Sequence, residues 1–155
     1  MDAFPLQYLI GELENEIMKA YYRENPDIII VEGQGALSHP AYASSAGILR
    51  GARPKAVILQ HAPKRKVLSD FPFMPVPEVE DEIALIEHFG RTTVIGITLN
   101  HEGMDDAELK KTIREYERRY RLPVTDVLKY GADIIVDEII DFFPSLKKKE
   151  GVLMS

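Results

Sequence analysis

The sequence predicts an α/β domain in which a mostly parallel sheet is sandwiched between helices. Strand-like and helix-like segments alternate along the 155 residues. The strand-like segments are continuous apolar runs, which is typical of strands buried on both faces in a parallel sheet. With 45% hydrophobic and 28% charged residues, the composition is that of one globular domain. We therefore expect residues 1–146 to form a single domain.

The chain opens with a helix and continues into a strand. Apolar residues recur at helical spacing from Leu6 to Tyr21, and Asn25-Pro26 ends this pattern. Asp27–Val31 is a β-branched run that predicts a strand buried on both faces, and Gly33-Gln34-Gly35 predicts the turn that follows.

The middle of the chain predicts a short helix over about 41–49 and a second buried strand over Lys55–Gln60, with His61 at its carboxyl end. Four prolines between Pro63 and Pro77 indicate an irregular surface loop. A helix over about 78–89, ended by Gly90, is expected next.

A third strand is predicted over Thr92–Leu99, followed by Asn100-His101. Asp105 and Glu108 have the spacing of a capping box at the start of a helix that reaches Tyr120.

The last part of the domain starts with Leu122–Val124, which predicts an edge strand. A short helical turn closed at Gly131 and a helix burying Ile135, Ile139 and Phe143 are expected to follow, with a strand over Ile134–Val136 as the alternative. Residues 147–155 are expected to be a flexible basic tail.

Composition excludes several classes of function. Asp and Glu number 25 against 19 Lys and Arg, so the net charge is −6 and nucleic acid is not expected as a partner. The absence of cysteine excludes disulfides and thiolate chemistry, and a cytoplasmic location is expected. No apolar run approaches the ~20 residues that span a membrane, and Met1–Leu6 lacks the features of a signal peptide.

Polar residues follow each predicted strand, where ligands bind in sheets of this kind. These residues are Glu32-Gly33-Gln34-Gly35, Gln60-His61 and Asn100-His101-Glu102. Glu32 closes an apolar run as in a Walker B segment and either orients Mg²⁺ or water, or caps a helix. Gly33 and Gly35 either allow close approach to a ligand or serve a turn that needs a positive φ.

Histidines are the candidate proton carriers. His61 is placed to act as an acid, base or donor, although a structural role is the alternative. His39 is able to reach the same edge, His101 points either way, and His88 is expected to be exposed; together they form no metal motif. Lys64, Arg65 and Lys66 either clamp an anion or are simply solvated.

The segment Asp27–Tyr42 resembles a motif of one family of uncharacterised bacterial and archaeal proteins. That family is labelled NAD-dependent epimerase/dehydratase-like and includes proteins described as D-glutamate N-acetyltransferases. The resemblance extends over nearly the whole chain, through the segments Asp2-Ala3, Gly11–Glu14, Gly51-Ala52-Arg53-Pro54, His61-Ala62-Pro63, Gly96–Asn100 and Leu122–Asp126.

This resemblance implies a P-loop NTPase-like domain, similar to dethiobiotin synthetase, whose first strand, phosphate-binding loop and first helix lie upstream of residue 1. Neither G-x-x-x-x-G-K-[ST] nor G-x-G-x-x-G occurs in the 155 residues. By resemblance, Glu32 occupies the Walker B position, and the positions near the expected site are those of Gln34, His39, His61 and Asn100.

A domain without that first strand would leave Ile28–Val31 with an unpaired apolar edge. We therefore expect the edge to be covered by another chain, by a second copy in a homo-oligomer, or by a rearranged pairing within this chain.

Two classes of function follow. The first is an enzyme acting on a small anionic substrate by phosphoryl transfer or, by resemblance, by acyl transfer to an amino acid, with Glu32 and His61 as catalytic residues. Its cofactor would be ATP with Mg²⁺ or acetyl-CoA, if the missing segment is supplied. The second is a non-catalytic ligand-binding or subunit-interaction module.

Overall fold

The computed structural model describes residues 5–147, so the predicted basic tail lies outside the described residues from position 148 onward. They form two compact units, described separately below: one extends up to Lys55 and includes Asp81–Thr93, and the other comprises Ala56–Glu80 and the chain from Val94 onward. In chain order the elements are α1 (Leu6–Glu24), α2 (Ser44–Ala52), β1 (Ala56–His61), β2 (Val67–Leu68), β3 (Phe71–Pro75), α3 (Val79–Gly90), β4 (Thr93–Leu99), α4 (Asp106–Tyr120), β5 (Val124–Thr125), α5 (Val127–Tyr130), α6 (Asp133–Phe142) and α7 (Pro144–Lys147).

In the first unit, α1 packs against α2 through small residues. A Cβ atom at Gly51 would lie 2.9 Å from the carbonyl oxygen of Ile10, and one at Gly47 would lie 2.8 Å from Cδ2 of Leu9. Only glycine permits this close approach without displacing its neighbour. The predicted helix is confirmed, and it ends where Asn25 adopts a left-handed conformation and donates its N–H to the carbonyl of Tyr21.

The strand predicted at Asp27–Val31 is wrong. This segment is irregular, and no described residue pairs with it in a sheet. Ile28 and Ile29 are exposed, and 81% of Ile30 is accessible to solvent. A strand forms only where neighbouring strands satisfy its backbone groups, and none of the described segments lies in that position. The rearranged pairing within residues 5–147 is therefore also absent.

The main sheet belongs to the second unit and has the strand order β1-β4-β5. Strands β4 and β5 are parallel, with Ile97 opposite Val124, which confirms a strand at the edge of the sheet close to the predicted Leu122–Val124. Ile97 is fully buried. Helix α6 packs on this sheet so closely that a Cβ atom at Gly96 would lie 3.0 Å from Cδ1 of Ile135.

In the second unit, the structure differs from the predicted loop between Pro63 and Pro77 and excludes the alternative strand at Ile134–Val136. The segment predicted as an irregular loop contains an antiparallel pair, β2 and β3, with Leu68 opposite Phe71. Proline is tolerated there because each strand of a two-stranded sheet has an unpaired edge. Ile134–Val136 lies within helix α6, so the alternative strand is wrong.

Helix α4 begins with the predicted capping box. The Asp105 side chain accepts the N–H of Glu108, and the Glu108 side chain accepts the N–H of Asp105. None of the helices within residues 5–147 combines the length and apolar composition needed to cross a bilayer.

Candidate functional site

Four polar residues lie at or just after the carboxyl ends of the strands in the main sheet. The N–H of Asn100 donates to the carbonyl oxygen of His61 at 2.8 Å, which joins the ends of β4 and β1. His101 follows Asn100, and Asp126 directly follows β5. This edge is where ligands bind in open α/β sheets.

His101 and Asp126 form a hydrogen-bonded pair across this edge. Nδ1 of His101 lies 2.5 Å from Oδ2 of Asp126. The Asp126 side chain is 1% exposed, and its Oδ1 accepts the N–H groups of Leu128 and Lys129 at 3.1 Å each. Because an ionised carboxylate only accepts hydrogen bonds, Nδ1 is the donor, and in the neutral form of the imidazole the lone pair is then on Nε2.

The arrangement is that of an oriented general base. Asp126 is fixed by two backbone donors at the start of α5, so it holds the imidazole plane, while the side chain of His101 remains partly exposed to solvent. A base with its second nitrogen held by a buried carboxylate accepts a proton at Nε2 and stabilises the resulting imidazolium.

Sequence reasoning left the direction of His101 open and did not select Asp126. One signal was present: Asp126 follows a short predicted strand, as the selected polar residues follow theirs. An acid at that position is also a common helix N-cap, which Asp126 is here, so the signal by itself does not distinguish a site residue from a cap.

His61 is half-buried at the end of β1, as predicted. Burial lowers the pKa of its imidazole, and the nearby Glu78 carboxylate opposes that effect. Its ring centroid lies 6.0 Å from that of Tyr116. His61 is therefore biased toward the neutral form, which both donates and accepts hydrogen bonds.

One of the two polar groups of the Asn100 side chain forms a hydrogen bond with a residue close in sequence. Its Oδ1 accepts the N–H of Glu102 at 3.0 Å. The side-chain NH₂ group makes no hydrogen bond within residues 5–147, so it is the part of Asn100 available to a ligand.

Basic residues near these strand ends are held in ion pairs. Lys64 Nζ lies 2.8 Å from Glu108 Oε1, and Arg65 Nη2 lies 2.5 Å from Glu102 Oε2. Both pairs are substantially exposed, and such pairs contribute at most ~1 kcal/mol. An anionic ligand is therefore able to replace either carboxylate at low cost.

The other sequence-selected residues lie in the first unit, in the segment between α1 and α2. Glu32 is exposed and forms no hydrogen bond or ion pair with the described residues. Gly33 lies against Ile48, since a Cβ atom added there would be 3.3 Å from its Cδ1. The carbonyl oxygens of Gln34 and Gly35 both accept the Ser45 hydroxyl at 2.8 Å.

Gly35 has φ 78°, so the turn does need a positive φ. The His39 ring stacks on Tyr42 with centroids 4.3 Å apart, and its Nδ1 accepts the N–H of Ala41. The loop is held by Glu82, a buried carboxylate whose oxygens accept the N–H groups of Leu37 at 2.9 Å and Ser38 at 3.2 Å. Sequence reasoning missed this anchor.

The structure thus brings His61 next to Asn100, and it groups Glu32 with Gly33, Gln34, Gly35 and His39 in a separate unit. Within residues 5–147, no three His, Asp or Glu side chains are grouped as a metal site requires. Glu32 as a ligand of Mg²⁺ stays a prediction, because Mg²⁺ is commonly held by one or two carboxylates together with water and phosphate oxygens.

Comparison with known proteins shows which family the chain matches. Residues 1–136 match the family model described as "Domain of unknown function (DUF1611_C) P-loop domain". The chain belongs to this family. It is similar, with a TM-score of 0.82 and 30% identity, to the crystal structure of a DUF1611 family protein from Anabaena variabilis, of which it covers 42% while 90% of its own length is matched.

Two relatives of this chain carry the name D-glutamate N-acetyltransferase. The one from Tritonibacter scottomollicae is 27% identical over 89% of this chain and 44% of its own length. The one from a Pseudoalteromonas species is 32% identical over 69% of this chain and 34% of its own length. The chain therefore spans less than half the length of these relatives.

These matches confirm the predicted fold class, an α/β fold with a parallel sheet flanked by helices.

Proposed function

We propose that this domain takes part in transferring an acetyl group to the amino nitrogen of an acidic amino acid, with His101 as the general base. The observation that carries the proposal is the His101–Asp126 pair at the carboxyl edge of the sheet. The names of the two relatives support the choice of D-glutamate as the first substrate to assay.

Amide formation requires what this pair supplies. The ammonium of an amino acid must lose a proton before its nitrogen attacks, and Nε2 of His101 is the acceptor we propose. The nitrogen then bonds to the acetyl carbonyl carbon of a thioester such as acetyl-CoA, and the carbon–sulfur bond breaks. The imidazolium returns its proton to the departing thiolate, and the acylated nitrogen releases its remaining excess proton to water as the neutral amide forms, so the step needs no metal ion.

The surroundings of the pair suit an acidic amino acid. The exposed Lys64 and Arg65 are cations that exchange their own carboxylate partners for those of a substrate. The NH₂ group of Asn100 is a donor for a carbonyl oxygen that gains charge during attack. His61, held toward neutrality by burial, contacts the substrate in this proposal as a hydrogen-bonding group.

The proposal is tested by the rate at which the full-length protein N-acetylates D-glutamate from acetyl-CoA. His101→Asn is expected to lower kcat/KM by about 10²–10⁴-fold, the usual contribution of a general base. His88→Asn is the matched control, because His88 is exposed and its Nδ1 lies 2.7 Å from the carbonyl oxygen of Ala84 on its own helix. Retention of most activity in His101→Asn would refute the proposed role.

Asp126→Asn separates orientation from folding. The amide oxygen keeps the two backbone hydrogen bonds at the start of α5, whereas the amide nitrogen replaces the oxygen that faces His101. We expect a loss of at least about 10-fold in kcat with KM nearly unchanged, as for other groups that orient a catalytic histidine. Absence of turnover by the unaltered protein would instead favour the module predicted as the alternative.

A further inference from the structure

A cavity of about 460 Å³ lies in the first unit, beside the carboxyl ends of α2 and α3. Its apolar lining includes the buried Leu49 and the half-buried Phe89. The rest of the lining is mostly basic, and no acidic residue contributes to it. The cavity is lined by Leu49, Arg50, Arg53, Pro54, Lys55, Phe89, Gly90 and Arg91.

The four cations of this lining have no carboxylate partners within residues 5–147. This contrasts with Lys64, Arg65 and Arg119 elsewhere in the chain, each of which forms an ion pair. The net charge of the sequence is −6, so the positive charge of the cavity is local and opposes that of the whole. An unneutralised group of cations around a concavity concentrates anions.

Two of these arginines lie where a helix ends in a left-handed backbone conformation. Arg53 is the residue at which α2 ends, with φ 47°, and Arg91 directly follows α3, with φ 50°. Both lie in the left-handed region, which asparagine and glycine adopt more readily than arginine. The guanidinium carbon of Arg50 lies 4.6 Å from the centroid of the Phe89 ring, an arrangement that orients its plane.

We infer that this cavity binds the diphosphate group of a small molecule. The guanidinium group of arginine donates a pair of hydrogen bonds to two oxygens of a phosphate. The charge of four cations is balanced more fully by a polyanion than by a single carboxylate. The volume is within the range of small-molecule sites. A diphosphate occurs free or as part of a nucleotide or coenzyme, and the chemistry of recognition is the same for both. This inference does not depend on the proposed acetyl transfer.

The test is calorimetric titration of the full-length protein with inorganic pyrophosphate, ADP and CoA in separate experiments. We expect Arg53→Asn and Arg91→Asn each to weaken pyrophosphate binding by at least about 5-fold, since each removes charged hydrogen bonds to phosphate. Asparagine preserves the left-handed backbone at both positions. Tighter binding of ADP or CoA than of pyrophosphate identifies the carrier as a nucleotide or coenzyme, and equal binding identifies a free diphosphate.

Arg121→Asn is the matched control. Arg121 has φ 55° and ends α4, so it shares the charge and the cap conformation of Arg53 but lies in the other unit and is not part of the cavity lining. It is expected to change the affinity less than about 2-fold.

Failure of all three probes to bind at millimolar concentration, or an equal loss in all three variants, would overturn the inference. If melting curves show that Arg53→Asn or Arg91→Asn is unfolded, the pyrophosphate affinity of Lys55→Gln is measured instead, because Lys55 lies outside the helices. A weakened affinity in that variant supports the site, and an unchanged affinity rejects it.

Discussion

Ile28–Val31 and Val94–Leu99 have the same apolar, β-branched character in the sequence, yet only the second forms a strand. Strand β4 has β1 on one side and β5 on the other, and Ile95 and Ile97 are buried. No described residue pairs with Ile28–Val31, and its isoleucines are exposed. The comparison shows that an apolar run becomes a strand only when at least one neighbouring strand pairs with it.

The same difference extends to the polar residues that follow each run. His101 comes after β4 and meets Asp126 because the neighbouring strand β5 delivers that carboxylate to the same edge. Glu32 comes after Ile28–Val31 and has no partner among residues 5–147. A paired strand therefore organises a site, whereas an unpaired run leaves its polar residue in solvent.

The largest expected difference between the two runs is in stability. Ile97→Ala in the 155-residue chain should lower the free energy of unfolding by about 2–5 kcal/mol, because it opens a cavity at a fully buried position. At protein concentrations below association, Ile30→Ala should change it by less than about 0.5 kcal/mol, because most of that side chain is already in water. Urea unfolding of both variants measures this, and equal losses would show that Ile30 is buried in solution.

A second comparison concerns the two acids of the first unit. Glu82→Ala should cost about 1–3 kcal/mol, since it removes the buried carboxylate that accepts the N–H groups of Leu37 and Ser38 in two part-buried hydrogen bonds. Glu32→Ala should be neutral to within about 0.5 kcal/mol. Thermal denaturation followed by circular dichroism compares them, and a neutral Glu82→Ala would contradict the anchoring role.

We also predict that a partner strand covers Ile28–Val31 in solution, supplied by another chain or a second copy. Amide exchange over this segment should slow by about 10-fold, or ~1.4 kcal/mol, as protein concentration is raised through association. Exchange over β4 is the internal control, because that strand is already paired. A rate over Ile28–Val31 that does not change while the protein associates would reject this surface as the interface.

The smallest expected effect is the pH dependence at His61. Its pKa is lowered in the folded state, so the unfolded chain binds a proton first as pH falls through the ordinary value. The stability contributed by the neutral imidazole is present above that range and is lost as pH falls. Unfolding free energies measured at about pH 8 and about pH 5.5 should differ more for the unaltered chain than for His61→Gln. An equal or greater dependence in the variant would contradict burial of His61.

Elements with local signals were predictable from sequence. The spacing of Asp105 and Glu108 identified the start of α4, and the apolar face from Leu6 to Tyr21 identified α1. The β2–β3 pair was missed because prolines at positions 72 and 75 indicate a loop, although edge strands accept them.

Features that depend on distant partners were not predictable. Asp126 has a role only because β5 pairs with β4, and Glu82 because it reaches a loop more than forty positions away in the sequence. The failure at Ile28–Val31 has the same origin, since a strand pattern does not reveal whether a neighbour exists. His61 was placed correctly at a strand end because its position depended on a local pattern alone.

The tautomer of His101 decides whether this residue is able to act as the proposed base, because that role requires the proton on Nδ1 and a lone pair on Nε2. Two-bond ¹⁵N–¹H correlations of the full-length protein at alkaline pH, where the imidazole is neutral, report which nitrogen is protonated. We predict protonated Nδ1 in the unaltered protein and a loss of this preference in Asp126→Asn. A proton on Nε2 in the unaltered protein, with Nδ1 unprotonated, would contradict it.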